Sequence, residues 1–449
     1  MDNINFNELE GKVVLKDHID YEECRLSWNR AIDAYPKAIV YCFSKEDVSK
    51  NIKWCIKHQV EFRIRSGAHN YEGYSTGNDL LVIDVSKMKK IDLDEENKKV
   101  TIEGGITNRE AYKMLCSKGY AFPGGGCPTV GVAGFTLGGG WGYSSRFLGL
   151  ACDNLIEVQF IDYKGDIIIA NENVNEDLFW ASKGCGGGNF GVVVSMTFKL
   201  KEKVENVTLI ELEYFNLEVH KQVTVIKTYQ EMFKNLDNKV NFKMAIYNSK
   251  EKGRGIKIIG LYYGGKEEAQ EILKPLVDLD YDETLNLTYT SIFEANRIIQ
   301  DSHPDYEKYK SAGRFIYDDY SKEEIKEIVK VLEHTANGAT YTAITFYGLG
   351  GAVSDKTKED SAFYYRDARF IMGLQSVFEE DKYKQENIEW VLEKFKYIKS
   401  ITKGSFINFP LAELEDYKHE YYGDNYEKLK LIKTKYDPNN IFTFKQSIW

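Results

Sequence analysis

Two glycine-rich loops carry side chains able to bond to carbon. The first reads Arg65-Ser66-Gly67-Ala68-His69-Asn70 and offers an imidazole. The second reads Pro123-Gly124-Gly125-Gly126-Cys127-Pro128-Thr129-Val130-Gly131 and offers a thiol. Glycines let the backbone approach a ligand closely, and thiolate character at Cys127 would make it a stronger nucleophile. Taken singly, His69 reads as a structural histidine and Cys127 as a buried thiol. A third string, Gly186-x-Gly188-x-x-Gly191, matches the dinucleotide fingerprint, which must follow a strand and open a helix. Here a helical stretch over 176–182 precedes it and the run Val192-Val193-Val194 follows. The context is inverted, so a Rossmann site is rejected, while backbone donors to a phosphate or flavin stay possible. No phosphate-binding P-loop, His-Glu-x-x-His, calcium loop or Gly-x-Ser-x-Gly elbow occurs, so no metal site is expected.

The elements that position these loops alternate between strand and helix over the first 200 residues. A β-branched run over 37–43 leads to Ser44-x-x-Asp47, which starts a helix reaching about Gln59. A strand over 61–65 enters the His69 loop, and further strands fit 80–85 and 99–103. Thr107 and Glu110 form a capping box for a helix ending at Gly119. The Cys127 loop follows, then Gly138-Gly139-Gly140-Trp141-Gly142, then a hairpin over 154–170 turning at Lys164-Gly165. From about Val204 the elements lengthen. Strands fit 208–214, 242–247, 256–263, 341–347 and 369–377, and amphipathic helices fit 217–236, 266–279, 321–337 and 382–401.

Length and composition bound the rest. The 449 residues suffice for two or three domains with large cores. A net charge of −10 without a basic block argues against nucleic acid or an anionic membrane surface as partner. No apolar run approaches the ~20 residues needed to span a bilayer, and no basic-then-apolar signal peptide is visible at the N-terminus. Seven scattered cysteines without a Cys-x-x-Cys pair fit neither a disulfide framework nor a zinc site, so a reduced, cytoplasmic setting is the simplest reading.

In this order and context, the His69 and Cys127 loops resemble the flavin-attachment loops of the berberine bridge enzyme-like family. The likeness covers nearly the whole chain. It includes Pro36 with the strand and helix after it, Leu81-Val82-Ile83-Asp84-Val85-Ser86-x-Met88, Gly149-Leu150-x-Cys152-Asp153-Asn154 and Gly186-Gly187-Gly188-Asn189-Phe190-Gly191. Later matches are Gly350-Gly351-Ala352-Val353, Ala362-Phe363, Arg366-Asp367, Asn408, Asp437-Pro438-x-Asn440-x-Phe442 and Gln446-Ser447-Ile448. The resemblance implies an α+β fold. Its FAD-binding domain, of the vanillyl-alcohol oxidase type, has two subdomains (1–203). An α+β substrate domain (204–400) carries an antiparallel sheet covered by helices, and a C-terminal segment (401–449) returns to the FAD domain. It also implies FAD bonded twice, through its 8α-methyl carbon to His69 and through C6 to Cys127. The further cofactor contacts it implies are Arg65, Ser66, Gly67, Ala68, Asn70, Gly125, Gly126, Thr129, Gly131, Gly134, Gly139, Gly140, Gly142, Asp153, Asn189, Gly191, Val192, Asn408 and Asn440.

Departures from the family pattern bear on the chemistry. Ala68 stands where relatives usually carry glycine, a mild change if φ there is negative. Phe135 replaces a common histidine. The usual proton acceptors are a tyrosine in Tyr-x-Asn-Tyr, here Phe406-Ile407-Asn408-Phe409, or a glutamate at Gln375; Trp141 stands where some relatives have an active-site tyrosine. None of these replacements is a base, so Tyr347, Tyr364, Tyr365 or another group must serve. Val130 occupies the family's oxygen-gate position, where valine accompanies oxidases and the larger leucine dehydrogenases. The expected function is an FAD-dependent oxidase moving a hydride from an alcohol, sugar, amine or secondary-metabolite carbon to flavin N5, with dioxygen reduced to hydrogen peroxide. The catalytic positions are Gln375, Trp141, Val130 and Tyr347. The alternatives are a dehydrogenase or oxidative cyclase in small-molecule biosynthesis, or a catalytically decayed flavin-binding or coat protein. The oligomeric state stays open.

Overall fold

Short β-branched runs separated by glycine turns fold as narrow sheets, and the longer alternating runs after residue 204 fold as a wide one. The computed structural model describes residues 5–449. Strands β1 (Lys12–Leu15), β2 (Ala38–Tyr41), β3 (Phe62–Arg65) and β4 (Leu81–Asp84) form a sheet in the order β1-β2-β4-β3, with β4 parallel to both neighbours. Strands β5 (Ile91–Asp94), β6 (Lys99–Glu103), β7 (Leu155–Ile161), β8 (Ile167–Asn171) and β9 (Val192–Lys199) form an antiparallel sheet in the order β5-β6-β9-β7-β8. The two share a core: Ile161, Val192 and Val194 of the second pack among Val40, Leu81 and Ile83 of the first.

The third sheet is antiparallel and has eight strands. They are β10 (Asn206–Phe215), β11 (Val240–Ser249), β12 (Gly253–Tyr262), β13 (Glu283–Ser291), β14 (Lys308–Ile316), β15 (Ala339–Gly348), β16 (Phe370–Phe378) and β17 (Lys403–Ser405), in the order β13-β10-β12-β11-β15-β16-β14-β17. Alternation along each strand divides its faces. Phe242, Met244 and Ile246 of β11, Ile344 and Phe346 of β15, and Met372 and Leu374 of β16 are buried. On this same face Ser376 Oγ donates 2.7 Å to Asn387 Oδ1, which belongs to the helix Lys384–Ser400. The opposite face carries Lys243 beside Tyr347 and Ala343 beside Gln375, in direct register. That face looks toward the glycine loops.

Residues 401–449 touch both parts. They supply β17 to the large sheet, while Phe442 joins the core of the first sheet. Lys433 is buried and donates to Asn189 O (2.6 Å), Phe442 O (2.7 Å) and Asp437 (2.8 Å). Among the described residues no helix is long and apolar enough to cross a membrane, no group of three or more His, Cys, Asp or Glu could hold a metal, and no cysteine is paired.

Candidate active site

The His69 loop begins where β3 ends. Arg65 and Asp84 are paired in register at the ends of β3 and β4, both buried, and form an ion pair there. Ser66 Oγ then donates 2.7 Å to Gly104 O. Gly67 is required by close approach, because a Cβ on it would lie 2.2 Å from the Gly131 nitrogen. The two attachment loops therefore meet backbone to backbone. Ala68 sits at φ 56°, so the condition for a mild change is not met. Its methyl bears the left-handed conformation at a cost of about 1 kcal/mol relative to glycine. Ala68 O accepts from Trp28 N (3.0 Å), and the Trp28 ring stacks on His69 at 5.0 Å. Asn70 closes the turn by accepting from the Glu72 and Tyr74 nitrogens.

The Cys127 loop is held by the N-terminal end of the helix Asn108–Leu115. Asn108 N donates to Val130 O (3.0 Å), Arg109 N to Pro128 O (3.0 Å) and Asn108 Nδ2 to Cys127 O (3.1 Å). One hydroxyl lies between the two candidate nucleophiles: Thr129 Oγ1 is 2.7 Å from His69 Nε2 and 3.9 Å from Cys127 Sγ. Burial, with His303 adding to it, lowers the His69 pKa to about 3, so the ring is a neutral imidazole with a free lone pair at neutral pH. Burial pushes the Cys127 thiol up, against the pull of the Thr129 and Val130 backbone N–H groups. The expected thiolate character is thus reversed: the folded chain holds a protonated thiol.

Both side chains face a cavity of about 590 Å³ between the glycine loops and the open face of the large sheet. Ser66, Gly67, Ala68, Asn70, Gly125, Gly126, Val130, Gly131, Gly134, Gly191, Asn408, Trp141, Tyr347 and Gln375 also line it. A Cβ on Gly134 would touch nothing within 4 Å, so the helix Val132–Leu137 turns a bare backbone patch to this space. Asn408 donates 2.9 Å to Phe135 O.

The remaining expected cofactor residues stand behind the wall. Arg65 holds Asp84. Asp153 accepts two 2.8 Å bonds from Arg366 and one from Leu150 N. Asn189 accepts from Ile448 N (2.9 Å), and Val192 lies in the core. Gly139 and Gly140 pack against Phe363 and Ala151, and Gly142 against Gly124 O. Asn440 has φ 49° and a buried Oδ1 without a partner. Of the three tyrosines offered as replacement bases, only Tyr347 lines the cavity. Tyr364 bonds Asp424 (2.8 Å), and Tyr365 donates to the His419 and Glu420 carbonyls.

Other lining groups carried no local signal. Tyr71 stacks on Phe409 at 5.2 Å, and Phe409 packs on Tyr347 at 5.3 Å, which meets Trp141 edge-on at 4.9 Å. Lys243, His303 and Glu307 add charge and titratable groups. His303 and Glu307 lie on a loop entering β14, a strand hidden from periodicity, and only tertiary pairing brings them here.

Several buried polar atoms on this wall have no partner: Tyr74 OH, Ser75 Oγ, Asn108 Oδ1, Tyr143 OH and Tyr309 OH. Such atoms cost about 1–3 kcal/mol each when unsatisfied, and a large polar ligand would satisfy them. With the bare glycine patches, the residues present fit a flavin nucleotide.

Two small sheets meeting an antiparallel sheet across a cavity are the architecture of FAD-binding proteins of the vanillyl-alcohol oxidase type. A family model described as FAD binding domain matches residues 36–171, and one described as Berberine and berberine like matches 405–449. The uncharacterised FAD-linked oxidoreductase YgaK of Bacillus subtilis is 35% identical over 98% of this chain and 97% of its own length. Reticuline oxidase of Eschscholzia californica is 26% identical over 92% of this chain and 83% of its own. Among solved structures, Physcomitrella patens BBE-like 1 superposes with a TM-score of 0.90 at 24% identity, covering 99% of this chain and 98% of that one. A glucooligosaccharide oxidase from Acremonium strictum, described with a 6-S-cysteinyl, 8α-N1-histidyl FAD, superposes at 0.88 and 22% identity, covering 97% of this chain and 96% of that one. The chain belongs to the berberine bridge enzyme-like family of FAD-linked oxidoreductases.

Proposed function

We propose that this oxidoreductase is an oxidase whose FAD is tethered at two points, His69 and Cys127. The observation that carries the reading is the Thr129 hydroxyl, 2.7 Å from His69 Nε2 and 3.9 Å from Cys127 Sγ, which brings together two side chains that line the cavity. Thr129 engages Nε2, which leaves Nδ1 as the ring nitrogen available to bond. Residues 1–203 and 401–449 hold the cofactor in this reading, and residues 204–400 receive substrate. The glycine patches at Gly67, Gly131 and Gly134 seat it, and Asn408 braces the Phe135 backbone behind it. When bound, the flavin supplies a two-electron acceptor whose electrons pass on to dioxygen as hydrogen peroxide.

Trp141, Tyr347, Phe409 and Tyr71 line the cavity together, and such ring faces favour a ring-bearing substrate over a small acyclic one. The reacting carbon is that of an alcohol, sugar, amine or secondary metabolite. Acid precipitation tests the tether: the pellet should be yellow and the supernatant colourless. FAD released into the supernatant overturns it. Stoichiometric peroxide during turnover of an alcohol, sugar, phenol and amine panel tests the oxidase half.

A further inference from the structure

We propose that Glu307 is the proton acceptor of this cavity, taking the role that Phe409 and Gln375 cannot fill. The proposal rests on the oxidation reading above. Glu307 lines the cavity one residue before β14, and its carboxylate has no hydrogen-bond or ion-pair partner among the described residues. Its main chain is fixed on both sides: Glu307 N donates to Trp28 O (3.3 Å) and Arg30 N donates to Glu307 O (2.7 Å). Trp28 stacks on His69, so the Glu307 main chain is held in fixed relation to that loop.

Among the titratable groups that share the cavity lining with it are Lys243 of β11, Tyr341 and Tyr347 of β15, Tyr309 of β14, Tyr71 of the His69 loop, and Cys127, with His303 on its own loop. Burial pushes all four phenols and the thiol up, so they stay neutral near pH 7. Lys243 is the single cation acting on Glu307. Glu307 and Cys127 line the same cavity, so a base at Glu307 opens onto the space that the Cys127 loop borders.

His303, on the same loop, is the rival. Its Nδ1 is 3.0 Å from Ile299 O, which leaves Nε2 as acceptor, but burial lowers its pKa to about 4. Burial raises Glu307 to about 7, with Lys243 pulling it back. A general base works best when its pKa lies near the operating pH, which selects Glu307.

In the step assigned to it, the substrate O–H or N–H bond breaks and its proton passes to the Glu307 carboxylate. With FAD bound, the flavin would be the acceptor for the electron pair of the adjacent C–H bond as that bond breaks. The C=O or C=N bond forms, and Glu307 later releases the proton to solvent.

The test uses the FAD-loaded protein. Its flavin is reduced anaerobically by the panel compound that works best on the wild type, across pH 5 to 9. The wild-type rate should rise with pH and level off above an inflection near 7. Glu307→Gln should slow reduction by roughly 10²–10⁴-fold and lose the inflection, with less than about a threefold change in the concentration giving half-maximal rate. His303→Gln should keep the inflection. Independently of turnover, infrared difference spectra recorded from pH 5 to 9 should show a carboxyl band that titrates near neutrality and is missing from Glu307→Gln. An unchanged pH profile in Glu307→Gln, or its transfer to His303→Gln, overturns the assignment, as does the absence of that band. If no panel compound reduces the wild type, the oxidation reading fails, and the band alone then decides whether Glu307 is the poised acceptor.

Discussion

At the scale of single residues, the site is a contrast between groups that can titrate and groups that cannot. His69 is a neutral imidazole and Cys127 a protonated thiol, so the two bonds of the proposed tether should differ in their demand for a base. His69→Ala and Cys127→Ala should each keep the flavin in an acid pellet, and the double variant should release it. A single variant that releases all its flavin shows that one bond was the whole linkage. Val130 lines the cavity three residues after Cys127. The methylene added by Val130→Leu should slow reoxidation of the reduced protein by air about tenfold or more and leave anaerobic reduction nearly unchanged, as stopped-flow mixing with oxygenated buffer would record. Equal reoxidation rates would return the assignment to a dehydrogenase. Much of this scale was legible, because nucleophiles in glycine loops are local features. Glu307 was not: nothing in Ser302-His303-Pro304-Asp305-Tyr306-Glu307 says that the carboxylate turns inward, since that follows from pairing with residues 28–30.

At the scale of elements, the glycine cluster 138–142 and the short helix Ser145–Leu148 act as a joint between the small sheets and the large one. Trp141 Nε1 donates to Gly348 O (2.7 Å), and Ser144 Oγ is 2.6 Å from Tyr263 OH. Arg146 is buried and donates to three carbonyls across the joint: Val240 O (3.0 Å), Leu349 O (2.6 Å) and Leu236 O (2.8 Å). Burial lowers its pKa to about 10, so it stays charged at neutral pH. Arg146→Met would strand three buried acceptors, at about 1–3 kcal/mol each. Some relaxation is expected, so the loss should be about 3–5 kcal/mol, seen in urea as an earlier midpoint or as two separate transitions. A midpoint shift under about 1 kcal/mol would mean that water replaces the arginine. Elements with local caps were readable. Ser44 Oγ accepts from Asp47 N (3.1 Å) at the start of Lys45–His58, and Gly119 at φ 84° ends the turn after Asn108–Leu115. Strands β13 and β14 and the helix Ile292–Asp301 were not. In β14 the run Lys-Tyr-Lys-Ser-Ala-Gly-Arg-Phe-Ile alternates poorly because its polar members are buried against distant partners, Lys310 on Glu72 and Glu413, and Arg314 on Glu420. The helix expected over 321–337 stops early, at Lys322–Lys330.

At the scale of the whole molecule, the titrating groups of the cavity tie stability to pH. The unfolded chain protonates His303 below about 6.5, while the folded chain refuses that proton down to about 4. The unfolded state binds more protons between these values, so this term stabilises the fold above 6.5 and fades as pH falls toward 4. Glu307 acts with the opposite sign: its folded pKa near 7 keeps a proton that the unfolded chain has lost above 4.5, so its term fades as pH rises. The wild type should therefore lose more Tm than His303→Gln when pH drops from 6.5 to 4, as calorimetry would show; parallel losses would mean that His303 is solvated in the folded state. The cavity wall itself joins residues far apart in the sequence. Trp28 and His69 face the same space as Phe442, Thr443, Phe444 and Gln446. A nascent chain in which residues 442–446 have not yet left the ribosome lacks one side of that wall. If the proposed tether forms in the completed cavity, it must wait until residues 442–446 have docked, so a bound yellow cofactor would mark a polypeptide folded through that segment.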